Sequence, residues 1–327
     1  MKATATAHPI QGLVKYHGMR DPDLRLPYHD SISVCTAPSM TTTTVEFDAD
    51  LDDDVYVVDG ETVSGRGADR IDAVVSRVRA LAEADHASYP VRLESENSFP
   101  TNVGLGSSSS GFAAAAVALA EAADLSLSRP EISTIARLGS SSAARAVTGG
   151  YSDLRAGLND EDCRSHRLDS PLESAHRIVV GLVPAYKETE QAHAEAADSH
   201  LFEGRLAHLH GQLAEMRDAL RAGDAARVFE IAEHDSLSLA ATTMTGPAGW
   251  VYWKPETLAI FDAVRDLRRE RQVPAYFSTD TGATVYVNTT AEHAETVEAA
   301  VAETGVETEV WHVGGPARVL DEAEALF

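Results

Sequence analysis

The stretch Phe99–Ala118, FPTNVGLGSSSSGFAAAAVA, narrows the folds open to this chain more than any other. Its glycines let backbone N–H groups crowd against an anion, because no Cβ stands in the way. The alanine-rich run Phe112–Ala122 that follows has high helix propensity. The start of such a helix aims free N–H groups and the positive end of its dipole back at the loop. Gly104 and Gly106, with the hydroxyls of Ser107, Ser108, Ser109 and Ser110, therefore read as a phosphate cradle, and a serine hydroxyl there can also hold Mg²⁺. A bare Gly/Ser run is more often a linker, but a linker is not flanked by a strand-like segment and a tight helix. The stretch lacks both the G-x-x-x-x-G-K-[ST] pattern and the G-x-G-x-x-G fingerprint, so the two common nucleotide folds that carry them are poorly supported.

The rest of the chain alternates strands and helices. Residues 3–16, 31–36, 41–47 and 91–95 read as strands, with a hairpin at Val55–Val63. Ile71, Val74, Val75, Val78 and Leu81 recur at helical spacing over 66–84. Pro130 opens a further helix, after which 139–145 reads as a loop. Beyond a buried strand at 176–184, amphipathic helices are predicted over 202–221, 225–239 and 257–271. A strand-turn-strand at 275–288, a helix at 291–304 and a strand at 307–313 close the chain. At 327 residues two domains are expected, 1–174 and 175–327, divided in the polar stretch 159–174. The pattern is α+β, ending in a ferredoxin-like sandwich.

Charge narrows the setting. The chain carries 51 acidic and 27 basic residues, a net charge of −24. The acids are spread over helices and not bunched in blocks, which suits a folded protein in a salt-rich cytoplasm, where charge is screened over a few ångströms. No basic patch favours nucleic acid. No run of 18 apolar residues suggests a membrane span, and the first residues lack a signal-peptide layout. Cys35 and Cys163 read as reduced thiols, and no spacing suggests zinc. Only four residues are lysines, at 2, 15, 187 and 254, so a lysine inside a motif draws notice. His8 and His17 read as polar loop residues.

Several motifs in order resemble the mevalonate diphosphate decarboxylases of the GHMP kinase superfamily. They are Val14-Lys15-Tyr16-x-Gly18, Leu26-Pro27, Ser31-Ile32-Ser33-Val34, Glu94–Thr101 with the glycine-serine loop, Ser140-x-Ser142-Ala143-x-Arg145, Gly149-Gly150-Tyr151 and Ser278–Ala283. The resemblance implies a two-domain GHMP kinase fold, with an N-terminal half like ribosomal protein S5 and the C-terminal sandwich carrying a catalytic Asp. It further implies an ATP- and Mg²⁺-dependent cytoplasmic homodimer that phosphorylates a tertiary 3-hydroxyl, then loses phosphate and CO₂ to leave an alkene. Asp280 would accept or align the hydroxyl proton, Lys15 would hold the γ-phosphate or steer Asp280, and Arg145 would grip the departing carboxylate. Ser140, Ser142, Tyr16 and Thr189, with Lys187 nearby, would contact substrate. Ser107 and Ser108 would meet ATP phosphates, Ser107 with the metal.

Two departures bear on the substrate. Ile10 stands where the family usually has Asn, and Met19 where it usually has Lys. Loss of a cation removes charge complementary to a terminal phosphate, so the expected substrate is mevalonate 5-phosphate, giving isopentenyl phosphate. Members of this kind occur in salt-loving archaea. The alternatives are the 5-diphosphate with isopentenyl diphosphate as product, or a small-molecule kinase that stops after phosphoryl transfer.

Overall fold

The computed structural model describes residues 1–99, 106–185 and 189–327. The first half of the chain forms β1 (Lys2–Ala7), β2 (Ile10–Val14), β3 (Met19–Asp21), β4 (Leu26–Pro27), β5 (Ser31–Ala37), β6 (Thr41–Phe47), β7 (Val55–Val58) and β8 (Glu61–Thr62). It continues with α1 (Arg66–Leu81), β9 (Val91–Asn97), α2 (Ser107–Ala122), α3 (Arg129–Gly139), α4 (Ala143–Thr148), β10 (Tyr151–Leu154) and β11 (Ser165–Leu168). The second half adds β12 (His176–Leu182), α5 (Thr189–Ala194), α6 (Phe202–Ala222), α7 (Ala225–Met244) and α8 (Pro255–Arg271). It ends with β13 (Tyr276–Ser278), β14 (Val285–Thr290), α9 (Ala294–Ala302), β15 (Glu307–Val313) and β16 (Arg318–Val319).

Two sheets organise these elements. One has the order β16-β1-β6-β9-β7-β8, with only the β7–β9 pair parallel. Helix α2 lies on it through Ala113, Ala114, Ala116 and Ala118, all fully buried, and side chains this small let the helix sit close to β1 and β6. The second sheet has the order β11-β10-β5-β15-β12-β14-β13, with β2 paired to β5. Within it β15-β12-β14-β13 is the fourth, first, third and second strand of the C-terminal half, all antiparallel, which is the ferredoxin-like order. Val313 and His312 of β15 pair with Thr36 and Ala37 of β5, so this sheet runs on from one half of the chain into the other. Leu13, Val14, Ile32 and Val34 of the first half share a core with Ile178, Val180, Leu213 and Phe229 of the second.

Three local expectations are corrected. The strand foreseen over 3–16 breaks at His8-Pro9, and its two pieces join different sheets; proline has no N–H to give a ladder. Ser107–Ser110, expected in a loop, form the first turn of α2, begun by the Ser109 and Ser110 N–H groups donating to Gly106 O at 2.8 and 3.4 Å, with Ser109 Oγ also donating to that oxygen at 2.6 Å. Gly106 caps that turn at φ +81°, a left-handed conformation glycine adopts without strain. The stretch 139–145 likewise contains the beginning of a short helix, α4. Among the described residues no helix is long and apolar enough to cross a membrane.

Candidate active site

The end of β2 delivers Lys15 and Tyr16. Its pairing with β5 slips between Gly12 and Val14, a bulge that bends the strand end and re-aims Lys15 and Tyr16 beyond it. Lys15 is 5% exposed, and its Nζ donates to Ser236 Oγ of α7 and Ser278 Oγ of β13, both at 3.0 Å. The turn after β13 carries Asp280. A Cβ on Gly12 would stand 2.6 Å from Lys15 Cγ and 3.2 Å from Asp280 Oδ1, so the bare glycine leaves room for both side chains to crowd together.

Arg145, on α4, arrives from the other side and is 2% exposed. Its Nη1 donates to Ser31 Oγ at 2.8 Å, its guanidinium lies 5.4 Å from the centre of the Tyr16 ring, and its buried Nε has no partner. No ion pair joins it to another described residue. A buried cation this poorly matched within the protein is prepared for an anion from outside. Ser140 and Ser142 flank it, their hydroxyls 2.8 Å apart, while Ser141 donates to Arg25 O and bonds the Tyr16 hydroxyl. His193 of α5 stacks on Tyr16 with centroids 4.6 Å apart.

Electrostatics converge on Asp280. Burial pulls the Lys15 ammonium below its usual pKa, and the charges of Asp235 and then Asp280 oppose that pull. Burial lowers the Arg145 guanidinium too, opposed by Tyr16 and Asp280. Asp280 also adds to the upward shift that burial imposes on Tyr286. One carboxylate thus faces two desolvated cations, where water screens little. Around them burial holds His17 neutral with a pKa of about 3, and His29 and His193 with values of about 4.

The α2 start forms a second region. Ser107 and Ser108 line a cavity of about 540 Å³ with Ser95, Asn97, Arg70 and Phe112. Ser109 and Ser110 turn inward instead. Ser109 Oγ accepts from Ile10 N–H at 3.2 Å, and Ser110 Oγ lies 2.6 Å from Thr41 Oγ1. Their hydroxyls hold the helix to β2 and β6, so they do not face the cavity.

The sequence-derived residues Lys15, Tyr16, Ser140, Ser142, Arg145 and Asp280 thus come together from three distant segments. Gly104 and Lys187 lie outside the described residues, as does the side chain of Thr189, which opens α5. His17 is not a surface loop residue but fully buried. Ile10 is 8% exposed and packs in the core with the α2 alanines, its N–H donating to Ser109 Oγ. Met19, on β3, is half-buried. Asp235, Ser236 and Arg205 escaped the sequence reading, and Ser31 stands there in a motif without a role. Only the scarcity of lysine hinted that Lys15 would need partners.

Comparison with known proteins agrees with this geometry. Residues 7–165 match the family model of the diphosphomevalonate decarboxylase-like N-terminal domain. The phosphomevalonate decarboxylase of Haloferax volcanii is 72% identical over 327 residues, all of both chains. The diphosphomevalonate decarboxylase of Aspergillus fumigatus is 33% identical over 309 residues, covering 87% of this chain and 76% of that one. A solved complex with MVAPP, AMPPCP and magnesium superposes with a TM-score of 0.91 at 27% identity, covering 98% of this chain and 99% of the other. The α+β architecture, the motifs and these likenesses agree: the chain belongs to the diphosphomevalonate decarboxylase family of the GHMP kinase superfamily.

Proposed function

We propose that this protein is an ATP-dependent phosphomevalonate decarboxylase, which phosphorylates the 3-hydroxyl of mevalonate 5-phosphate and releases phosphate and CO₂ to leave isopentenyl phosphate. The observation that carries the reading is the meeting of the half-buried Asp280 with the buried cations Lys15 and Arg145. Asp280 aligns the tertiary hydroxyl and takes its proton as the γ-phosphoryl group arrives, and Lys15 offsets the negative charge gathered there. Arg145 holds the C1 carboxylate with its planar fork, and its orphan Nε is a donor in reserve. When the 3-phosphate leaves with the C3–O electron pair, the C1–C2 pair becomes the double bond and C1 departs as CO₂. Ser140 and Ser142 supply hydroxyls to substrate oxygens, with Tyr16 as a wall and Thr189 at the α5 end.

The co-substrate fits the cavity at the α2 start. It offers Ser107 and Ser108 at a helix N-terminus for phosphates, and apolar Val63, Ile71 and Phe112 for a base. Ser107 would hold Mg²⁺, whose charge screens the phosphates. The Haloferax enzyme's name and Met19 favour the monophosphate; the relatives named diphosphomevalonate decarboxylases supply the second reading. Residues 1–174 would then present nucleotide and carboxylate sites, and 175–327 the catalytic Asp, in a cytoplasmic, salt-adapted homodimer. Given ATP, Mg²⁺ and mevalonate 5-phosphate, the protein is expected to release ADP and CO₂ in equal amounts. ADP without CO₂ would reduce it to a kinase.

A further inference from the structure

Asp235, on α7, is a fully buried carboxylate outside the residues assigned above. Its two oxygens are divided between two partners. Oδ2 accepts the main-chain N–H of Lys15 at 2.9 Å and stands 3.7 Å from Lys15 Nζ. Oδ1 accepts from Arg205 Nη2 of α6 at 2.9 Å, and that same nitrogen donates to the Lys15 carbonyl at 2.8 Å. Lys15 sits just past the last residue of β2 and is served by these two side chains where a strand residue would use its ladder. With Ser236 and Ser278 on its ammonium, it is gripped at every polar atom by α6, α7 and β13.

We propose that Asp235, bridged to Arg205, is a positioning residue for phosphoryl transfer: it fixes the Lys15 backbone and is the permanent counter-ion of its ammonium. The proposal rests on Lys15 being the cation that meets the γ-phosphate. Two carboxylates and one guanidinium face that ammonium: Asp235 from α7, Asp280 from the β13–β14 turn, and Arg205 from α6. His17 and His29, which also feel Arg205, are held neutral by burial. Asp280 cannot serve as a constant partner, because it gives up its charge when it takes the hydroxyl proton. Asp235 has no such duty, and its two oxygens are fixed by the Lys15 N–H and Arg205 Nη2 beside the ammonium. Burial pulls the Lys15 ammonium below its usual pKa, and Asp235 is the largest influence against that pull. Arg205 pulls the other way, which makes the two residues separable by experiment.

Lysine scarcity makes the test direct. The full-length protein labelled with ¹³Cε-lysine gives four signals, and Lys15 is assigned by its loss in Lys15→Arg. In Asp235→Asn the Lys15 signal is expected to titrate at lower pH than in the parent, and in Arg205→Gln at higher pH. The alkaline limb of kcat is expected to move in the same two directions. Asp235→Asn also loses about 100-fold in kcat, as a displaced cation would cause, with a smaller change in KM for ATP. An unmoved Lys15 titration, or a kcat loss equal at every pH, would overturn the proposal and leave a structural ion pair. If Asp235→Asn does not fold, Arg205→Gln decides alone, since a shift to lower pH or none contradicts it. Failure of the decarboxylase reading appears separately, as absence of CO₂ from the parent protein, and leaves the titration result standing.

Discussion

Replacing Arg145 by Met is expected to raise the stability of the ligand-free protein while abolishing its chemistry. Met keeps the unbranched apolar stem of the side chain and removes the charged head. The loss side holds the hydrogen bond to Ser31 Oγ at 2.8 Å, about 1.5–3 kcal/mol for a charged donor. To this is added the contact with the Tyr16 ring at 5.4 Å, about 1 kcal/mol. The gain side holds the relief of a guanidinium 2% exposed, in no ion pair with a described residue and with a burial cost that the charge of Asp280 offsets only in part, several kcal/mol in effect, plus about 1–3 kcal/mol for the Nε that no described residue bonds. The balance favours Arg145→Met by about 1–3 kcal/mol, a rise in Tm of a few degrees for a chain this long. The assay is thermal unfolding of both proteins without ligand, in one KCl concentration at about pH 7.5, with CO₂ release measured alongside. CO₂ release should fall by about 1,000-fold or more, as for loss of a group that acts in the transition state. A Tm lowered by several degrees would refute the reasoning, because it would make Arg145 a structural cation.

Two further outcomes rest on the same geometry. Burial holds His17 at a pKa of about 3 and His29, His176 and His193 at about 4, all below the unfolded value of about 6.5, so between those values the unfolded chain binds more protons. The stabilisation is complete above about pH 6.5 and is lost as pH falls toward 4; the four together cost about 5 kcal/mol between pH 7 and 5.5. Thermal unfolding across that window should show Tm falling, and a flat Tm would contradict the burial of these rings in neutral form. Asp280→Asn should lose ADP and CO₂ release together, by about 100- to 10,000-fold, while a nucleotide-induced thermal shift persists. Turnover within tenfold of the parent would remove Asp280 from the chemistry.

Much of this site was legible because its motifs are local. The alanine run of α2 marked a helix whose start faces a loop, and the Ser278–Gly282 segment marked a turn between strands that sets out one carboxylate. The partners of those motifs were not legible. Asp235 and Ser236 sit in the middle of an ordinary amphipathic helix, where polar residues read as a solvated face. The packing of α7 against β2 and β13 turns them inward. His17 looked like loop surface, yet His29 and α5 close over it. The serine run looked uniform. Helix periodicity divides it, turning Ser107 and Ser108 to the cavity and sealing Ser109 and Ser110 against β2 and β6. The pairing of β5 with β15 joins segments nearly a chain length apart, which no local pattern records.

The central claim is that this site phosphorylates and then decarboxylates a monophosphate. A paired assay in concentrated KCl, with ATP and Mg²⁺, tests it most directly by offering mevalonate 5-phosphate in one arm and the 5-diphosphate in the other. ADP and CO₂ are measured in both. Equal ADP and CO₂ are expected from the monophosphate, with kcat/KM for the diphosphate at least tenfold lower. CO₂ from the diphosphate alone would contradict it and make Met19 a neutral change.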